Sequence, residues 1–445
     1  MKSHAHTAFL ILFSMILSLS ASGCTGGAAD NSGTSGPVAL PDSDDGEPAP
    51  DSQPGDPGAA YSMAAKLGMG WNLGNQLDAW TETDPGECTA SETAWGNPAV
   101  TQEVFDAVRA AGFSSVRIPV TWLGHFGPGP DYTIDEAWLD RVAEVVGYAE
   151  KAGLNAVINI HHDGADGKHW LDIGEAAVNP VVNGRITGQI TAMWTQIAEK
   201  FRDKGDFLIF EGFNEIHDGG WGWGANRTDN GRQYATLNAW NQTFTDAVRS
   251  TGGNNAERWL AVPGYCTNPD LTVEYLELPD DTAENRLMVS VHYYDPNTYT
   301  LTAEHGEWGH TADPDKRAGE DEEEHVRTVF GALNEKFVKN GIPVYLGEIG
   351  CVNRSEPLEQ AFQRYWFEYI VKAAKTYGLA AFVWDNGAHG TGNEQHGFID
   401  HGTGAFLSEP ARLAVETMTG AMNDNDGSYT LETVYGNAPS NGVEK

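Results

Sequence analysis

Short apolar runs alternate with longer amphipathic segments along most of the chain. From about residue 61 onward, runs rich in Val, Ile, Leu and Phe are followed by stretches whose apolar residues recur with the period of a helix. This alternation is typical of parallel strands joined by crossover helices. The predicted strands are Leu67 to Leu73, Ser115 to Val120, Ala156 to Ile160, Phe207 to Phe213, Trp259 to Pro263, Met288 to His292, Pro343 to Glu348 and Ala380 to Trp384.

Amphipathic helices are predicted between these strands. They are Gln102 to Ala111, Leu139 to Ala152, Ile190 to Lys204, Tyr234 to Ser250, His325 to Lys339 and Glu359 to Thr376. Glycines directly after several of them, such as Gly112 and Gly153, fit C-terminal helix caps. Eight strands with intervening helices predict an α/β fold, the (β/α)8 or TIM barrel, in a single catalytic domain over residues 61–425. Residues 426–445 are predicted to form a C-terminal tail.

An open, doubly wound sheet is the alternative architecture. Such a sheet normally carries a glycine-rich phosphate loop after its first strand. Here Gly68-Met69-Gly70 lies within the predicted strand and lacks a third glycine in place. Polar and aromatic residues instead accumulate after nearly every strand, as expected when eight loops line one cleft, so the barrel is favoured.

Two of the predicted strands end on a glutamate. Asn214 and Glu215 follow the fourth strand, and Glu348 ends the seventh. The carboxyl end of a barrel strand is where this architecture places its chemistry. Cleavage of a glycosidic bond needs two carboxyl groups, one to donate a proton and one to attack or to activate water. The pair therefore predicts a glycosidase.

The N-terminal residues predict export. Lys2 precedes an apolar run from Ala8 to Leu19 that is too short for a permanent membrane span. Small residues then lead into Cys24, as in the lipobox of a bacterial lipoprotein, although Ala21 stands where Leu is commonest. We expect a lipoprotein-type signal peptide over residues 1–23, acylation of Cys24 and a place at the cell envelope, with plain secretion as the alternative. Residues 24–60, rich in Gly, Ser, Asp and Pro, predict a flexible linker.

The charge of the chain limits its partners. It has 63 Asp and Glu against 27 Lys and Arg, a formal net charge of -36. Such a surface repels phosphates, which excludes nucleic acid and makes electrostatic binding to anionic lipid unfavourable. A neutral polysaccharide is unaffected. We expect membrane contact through the lipid on Cys24 alone, and a monomer.

The ordered motifs at the strand ends resemble those of glycoside hydrolase family 5. They run from Gly70-Trp71-Asn72-Leu73-Gly74-Asn75 through Val116-Arg117-Ile118-Pro119, His161-His162-Asp163, Asn214-Glu215, His292-Tyr293-Tyr294 and Gly347-Glu348 to Trp384-Asp385-Asn386. The resemblance spans about residues 67–399. The subfamily resembled is rich in endo-β-1,4-glucanases, lichenases and xyloglucanases. It implies an endo-acting enzyme that cleaves β-1,4 linkages of cellulose, mixed-linkage glucan or xyloglucan with retention, and without a cofactor.

The resemblance also implies a role for individual residues. Glu215 would be the general acid/base and Glu348 the nucleophile, with carboxyl groups about 5 to 5.5 Å apart. Supporting catalytic roles fall to Arg117, His161, Asn214, His292 and Tyr294. Substrate binding falls to Asn72, His162, Trp122, Trp384 and Asn386. Further aromatic candidates for flanking subsites are Trp80, Trp95, Trp170, Trp221, Trp223 and Trp308.

Other features leave alternatives open. His161 and His162 stand near Asp163, Asp166 and His169, but no recognisable ligand spacing follows, so no metal is predicted. The glycine-rich loop after Glu215 departs from the familiar Asn-Glu-Pro continuation, which leaves the leaving-group subsites undefined. At most one pair can form among Cys88, Cys266 and Cys351. The acidic run at residues 320–324 predicts a solvated helix start.

The substrate has competing interpretations. A mannan- or xylan-cleaving enzyme of the same family would carry the same catalytic pair, because subsites choose the sugar. A glycan-binding lipoprotein that has lost hydrolysis is less favoured, because both glutamates are present.

Overall fold

The computed structural model describes residues 56–440, except 85, 86 and 168. The predicted signal peptide, the acylation site Cys24, most of the predicted linker and the last five residues lie outside the described residues. No helix among the described residues is long and apolar enough to cross a membrane.

Eight parallel strands of the described chain close into a barrel, which confirms the predicted fold class. The strand order around the barrel is β1-β10-β9-β8-β7-β6-β5-β4, and β1 closes it by pairing with both β4 and β10. These strands are β1 (Met69–Leu73), β4 (Ser115–Ile118), β5 (Asn155–Ile158), β6 (Leu208–Glu211), β7 (Leu260–Pro263), β8 (Leu287–Tyr293), β9 (Val344–Ile349) and β10 (Leu379–Asp385). An antiparallel hairpin that was not predicted follows β1; it consists of β2 (Trp80–Asp84) and β3 (Glu87–Ala90).

Helices surround the barrel, and the predicted ones are present with boundaries that differ by up to ten residues. The helices are α1 (Pro57–Leu67), α2 (Gln102–Ala110), α3 (Glu136–Ala152), α4 (Ile173–Ala176), α5 (Pro180–Lys200), α6 (Arg232–Ser250), α7 (Pro269–Tyr275), α8 (Asn297–Thr300), α9 (Glu322–Lys336), α10 (Pro357–Thr376), α11 (Glu409–Asn423) and α12 (Leu431–Gly436). The largest difference is at the start of α5, which begins at Pro180 and not at the predicted Ile190. Pro180 and the glycines after it weaken the helical pattern in the sequence.

The predicted linker ends too late, because α1 begins at Pro57. The Asp56 side chain accepts a hydrogen bond from the backbone of Gly58, and proline at the first helical position is already set for the helix. The helix buries Met63, Ala64 and Leu67 against strand residues inside the barrel, among them Phe382. It therefore closes the barrel end opposite the strand carboxyl termini. The first predicted strand begins two residues too early, because Leu67 is the last residue of this helix and the strand begins at Met69.

Gly70 shows how tightly the barrel interior is filled. A Cβ atom at this position would lie 2.2 Å from the ring of Phe382. The glycine that might suggest a nucleotide loop in the sequence therefore makes room for an aromatic core side chain.

The predicted C-terminal tail is also folded in part. Helix α12 begins with a capping box between Thr430 and Thr433, and Leu431 and Val434 are buried. Six residues are too few to produce a recognisable apolar period, which is why the sequence did not predict this helix.

The acidic run does begin a helix, α9, as predicted, but two of its five side chains are buried. Glu322 and Glu323 are 7% and 3% exposed. Glu322 accepts a hydrogen bond from Gly309 N at 2.7 Å, and Glu323 accepts from Tyr365 at 3.0 Å. Burial raises the pKa of Glu322 to about 7.

We expect Glu322→Gln to stabilise the protein at pH 8 but not at pH 5. A folded-state pKa near 7, above the ordinary value of 4.5, means that the folded protein binds more protons than the unfolded chain between these values, so stability falls as pH rises through this window. Glutamine keeps an acceptor and cannot ionise. At pH 8 the free energy of unfolding should increase by on the order of 2 kcal/mol, and Tm should rise by a few degrees. Thermal unfolding at both pH values tests this, with exposed Glu324→Gln as the control; a gain that is equal at both would contradict it.

Candidate active site

The predicted site residues converge at one rim of the barrel. Arg117 lies in β4, Asn214 and Glu215 follow β6, His292 is the last residue but one of β8, and Glu348 lies in β9. Because the barrel strands are parallel, their carboxyl ends meet at the same rim. The register of β9 against both neighbours shifts at Gly347 and Glu348, an irregularity that re-aims a side chain next to a site.

The two predicted catalytic carboxyl groups share one histidine. Nδ1 of His292 lies 2.7 Å from Oε1 of Glu215 and 3.7 Å from Oε2 of Glu348. Atoms of all three side chains lie within 4.8 Å of one another. A direct attack by one carboxylate needs carboxyl groups about 5 Å apart, whereas an intervening water needs about 6.5 Å or more. The short spacing of Glu215 and Glu348 fits the first of these two arrangements.

Arg117 and Tyr294 hold Glu348. Nη1 of Arg117 donates to Oε1 of Glu348 at 2.7 Å, and the Tyr294 hydroxyl donates to Oε2 at 2.9 Å. Burial, and then the charge of Glu348, raise the pKa of Tyr294 well above its ordinary value, so this hydroxyl keeps its proton. Arg117 also donates to Oδ1 of Asn214 at 2.7 Å. The orientations of Glu348 and Asn214 are thus set by one guanidinium.

The pKa of Glu215 in the free site reflects opposing influences. Burial alone would raise it. The hydrogen bond from His292, together with nearby positive charge that includes the Arg117 guanidinium, outweighs burial and lowers the pKa.

Glu211 is the site residue that the sequence did not reveal. It is fully buried in β6 and accepts hydrogen bonds from Nε and Nη2 of Arg117 at 3.0 and 2.8 Å. The Tyr345 hydroxyl donates to it at 2.5 Å and Asn159 at 3.2 Å. Burial would raise the pKa of Glu211, but the charge and hydrogen bonds of Arg117 outweigh burial and lower it. An acidic residue inside an apolar strand run was the available signal, because a buried carboxylate needs a cation.

Asn159 connects Glu211 to His161. Its Oδ1 accepts from Val120 N at 3.1 Å, so its Nδ2 is the group that faces Glu211 and Nδ1 of His161, the latter at 3.2 Å. Nδ1 of His161 therefore accepts, and Nε2 carries the proton. Burial first, and then nearby positive charges, lower the pKa of His161 well below its ordinary value. His161 is a neutral donor whose ring lies parallel to Trp384, with ring centroids 6.0 Å apart.

Asp78, His161 and His162 bring potential metal ligands within 4.8 Å of one another. Nδ1 of His161 accepts a hydrogen bond from Asn159. The carboxylate of Asp78 accepts hydrogen bonds from the backbone N–H groups of Asn75 and Gln76 at 3.1 and 2.7 Å. Hydrogen bonds thus account for these groups, and we assign them no metal role.

Asp163 in the histidine-rich segment has a structural role. Asp163 is fully buried and accepts from Trp122 N at 2.9 Å and from Nε1 of Trp170 at 2.6 Å. Burial raises its pKa to about 6. His169 lies against the ring of Trp80, with centroids 5.3 Å apart. The side chain of Asp166 is outside the described residues.

Three of the predicted substrate-binding residues make hydrogen bonds within the protein. Trp122 is 0% exposed, and its indole nitrogen donates to Asn159 O at 3.2 Å. Asn72 is also 0% exposed; it donates to Gly347 O and accepts from Arg117. Asn386 is 7% exposed and bonds within its own loop, to the backbone of residues 388, 394 and 396. The position of a residue after a strand in the sequence does not determine whether its side chain enters the cleft or supports the rim of the barrel.

The predicted flanking tryptophans divide in the same way. Trp308 is 0% exposed, whereas Trp170 is 9% exposed and donates to Asp163 at 2.6 Å. Trp95 is 39% exposed and its ring lies 5.4 Å from that of His162. Trp80, Trp95, His162, His161 and Trp384 form a continuous row of ring contacts. This row places an aromatic surface beside the catalytic pair.

Cys88, Cys266 and Cys351 are free thiols in the described chain. Burial raises the pKa of Cys266 well above its ordinary value and that of Cys351 to about 11, so neither is a reactive thiolate.

Comparison with known proteins agrees with this site. The cellulase family, glycosyl hydrolase family 5, matches residues 79–390. A broad-specificity endoglucanase from Bacteroides salanitronis is 56% identical with a TM-score of 0.79, over 83% of this chain and 96% of that one. A Bacteroidetes-affiliated cellulase linked with a polysaccharide utilization locus is 45% identical with a TM-score of 0.83, over 86% and 98%. Endoglucanase A of Paenibacillus barcinonensis is 38% identical over 76% of this chain and 84% of that protein.

The chain therefore belongs to glycosyl hydrolase family 5. The predicted family, barrel and enzyme class, a glycoside hydrolase of the endoglucanase type, are confirmed.

We expect Glu211→Gln to lower kcat by roughly 10- to 100-fold with little change in KM, because charged hydrogen bonds that position Arg117 are lost. Removing a buried negative charge also lowers the pKa of neighbouring carboxyl groups, so the alkaline limb of the pH profile should move to lower pH. Initial rates on a soluble polysaccharide across pH measure both effects.

The matched control is Glu92→Gln. Glu92 makes a comparable two-pronged ion pair with Arg141, at 2.9 and 2.8 Å, in another part of the fold. It should lower Tm and leave the pH profile in place. If Glu211→Gln behaved in the same way as this control, Glu211 would be a structural residue only.

Proposed function

We propose that this protein is an endo-acting β-1,4-glucan hydrolase that retains anomeric configuration, with Glu215 as acid/base and Glu348 as nucleophile. The observation that carries the proposal is the pair of carboxyl groups on either side of Nδ1 of His292, at 2.7 and 3.7 Å. Their short separation supports direct attack by one carboxylate.

The reaction takes two steps. Glu215 donates a proton to the glycosidic oxygen while a carboxylate oxygen of Glu348 attacks the anomeric carbon; the carbon–oxygen bond to the leaving sugar breaks and a glycosyl ester forms. Glu215 then takes a proton from water, the water oxygen attacks the same carbon, and Glu348 leaves as a carboxylate. Two inversions give net retention.

His292 determines which oxygen of Glu215 delivers the proton. Nε2 of His292 is buried without a hydrogen-bond partner among the described groups, so the ring proton lies on Nδ1 and is donated to Oε1 of Glu215. The transferred proton is then carried by Oε2.

Substrate binding prepares Glu215 for this step. Burial is the largest influence on its pKa and acts upward. A glucan that covers the site removes water and strengthens that influence, which raises the pKa toward the value that a general acid needs.

Three residues complete the site around the reacting sugar. We propose that Asn214, held by Arg117, binds the hydroxyl next to the anomeric carbon, where a hydrogen bond strengthens in the transition state. The neutral His161 donates to another hydroxyl, and Trp384 stacks on the sugar face. His162, half-buried beside Trp95, contacts the neighbouring unit.

A panel of carboxymethylcellulose, barley β-glucan, xyloglucan, glucomannan and xylan tests the function. We expect activity on the glucans, in line with the broad specificity named for the Bacteroides salanitronis relative. Glu348→Gln and Glu215→Ala should each lower it by roughly 100- to 10,000-fold. Azide should restore turnover of an activated aryl glycoside to Glu215→Ala and yield a β-glycosyl azide.

Other outcomes separate the alternatives. Activity on glucomannan or xylan alone would transfer the assignment to those polymers. Binding without turnover of any of the five would favour a glycan-binding protein. Wild-type activity in Glu348→Gln would contradict the nucleophile assignment.

We further propose that the protein is exported as a monomer and anchored by lipid on Cys24. The basis is the apolar run that ends in small residues before this cysteine. In a bacterial host, the wild type should partition into the detergent phase of Triton X-114, and Cys24→Ser should move to the aqueous phase with unchanged specific activity. Equal partitioning of both would contradict the anchor.

A further inference from the structure

The loop that follows Glu215 exposes two tryptophans. Trp223 is 77% exposed and Trp221 is 40% exposed. Tryptophan is largely buried in most proteins, because its indole is the largest apolar side chain. Two exposed indoles in the loop directly after a proposed catalytic residue therefore indicate a surface that another molecule covers.

The loop is built as a rigid unit. Asp218 accepts hydrogen bonds from Gly220 N at 3.0 Å and from Asn226 N at 3.2 Å, which closes the loop on itself. A Cβ atom at Gly220 would lie 2.3 Å from the Cα atom of Gly224, so this close approach requires glycine. Asn226 also donates to Gly222 O at 2.9 Å. The indoles are thus carried by a fixed backbone.

Each indole is also supported by a second side chain. The ring of His217 lies 4.2 Å from that of Trp221, and the guanidinium of Arg227 lies 4.4 Å over the ring of Trp223. Nε of Arg227 donates to Gly222 O at 2.6 Å, which holds the cation in place. Trp223 remains 77% exposed with Arg227 on one face, so its other face is open.

The loop lies on the side of the acid/base. His217, buried at 2% exposure, is two residues beyond Glu215, and its ring contacts that of Trp221 at an interplanar angle of 33°. His217 thus connects the neighbourhood of Glu215 to Trp221, because it lies close enough to Glu215 to influence the pKa of that carboxyl group. The ring row that contains Trp384 and Trp95 belongs to other strand ends.

We propose that Trp221 and Trp223 form a stacking platform for the glucose units of the leaving group. The inference rests on the proposed role of Glu215, because the leaving group is bonded to the oxygen that this residue protonates. The flat C–H faces of β-linked glucose stack on aromatic rings, and a neutral chain is indifferent to the net charge of -36. Trp221 takes the unit nearer the cleaved bond and Trp223 the unit beyond it.

Two substrates distinguish an effect of this platform on catalysis from an effect of the rest of the cleft. Cellohexaose carries glucose units on both sides of the bond that is cut, whereas nitrophenolate release from 4-nitrophenyl β-cellotrioside involves no leaving sugar. For Trp221→Ala and for Trp223→Ala, we expect the ratio of kcat/KM on cellohexaose to that for nitrophenolate release to fall about three- to ten-fold. The loss should lie mainly in KM, and Trp223→Phe should recover part of it.

Tyr435→Ala is the matched control, since Tyr435 is 39% exposed and stacks on His310 at 3.8 Å in a different part of the fold. It should leave the ratio unchanged. An unchanged ratio in both tryptophan variants would overturn the platform. A wrong assignment of Glu215 would give a different result from a wrong assignment of the platform. In that case Glu215→Ala would keep its activity on cellohexaose, whatever the tryptophan variants do.

Discussion

The site depends on the buried ion pair between Arg117 and Glu211. Both side chains are fully buried, and two hydrogen bonds of 2.8 and 3.0 Å join them. Removing one partner of such a pair leaves an uncompensated charge in the interior, which costs about 3–5 kcal/mol. Glu211 therefore permits a cation at the centre of the barrel, and Arg117 in turn holds Glu348, Asn214 and Asn72.

A second branch of the network starts from the same carboxylate. Asn159 donates to Glu211 and to His161, and its own orientation is set by Val120 N. Glu211 thus fixes the position of the proposed nucleophile through Arg117 and the tautomer of His161 through Asn159. The side chains of this network are buried and fixed by hydrogen bonds, as preorganised catalysis requires, because fixed dipoles need not reorient during the reaction. Above it, exposed aromatic loops offer surfaces for a neutral chain.

Much of the fold and the site could be predicted from the sequence. Alternation of apolar runs with helical segments predicted all eight barrel strands, and the series of motifs from Asn72 to Trp384 predicted the family. The errors have physical causes. The first turns of α1 contain small residues with no clear period, α12 is six residues long, and Glu322 is buried although a run of acidic residues normally faces solvent. Trp122 and Trp308 follow strands or lie in loops yet are fully buried.

The sequence alone determined which chemical groups stand at the strand ends, because strand periodicity and the order of motifs are local properties of the chain. It thereby determined the barrel, the family and the identity of the proposed pair, Glu215 and Glu348. The tertiary structure decided which side chains meet. Glu211 contacts Arg117 across 94 positions of sequence, and Tyr345 reaches Glu211 across 134. Closure of the barrel sets these distances, and burial then selects among residues of one type, so that Trp122 packs in the core while Trp223 remains in water.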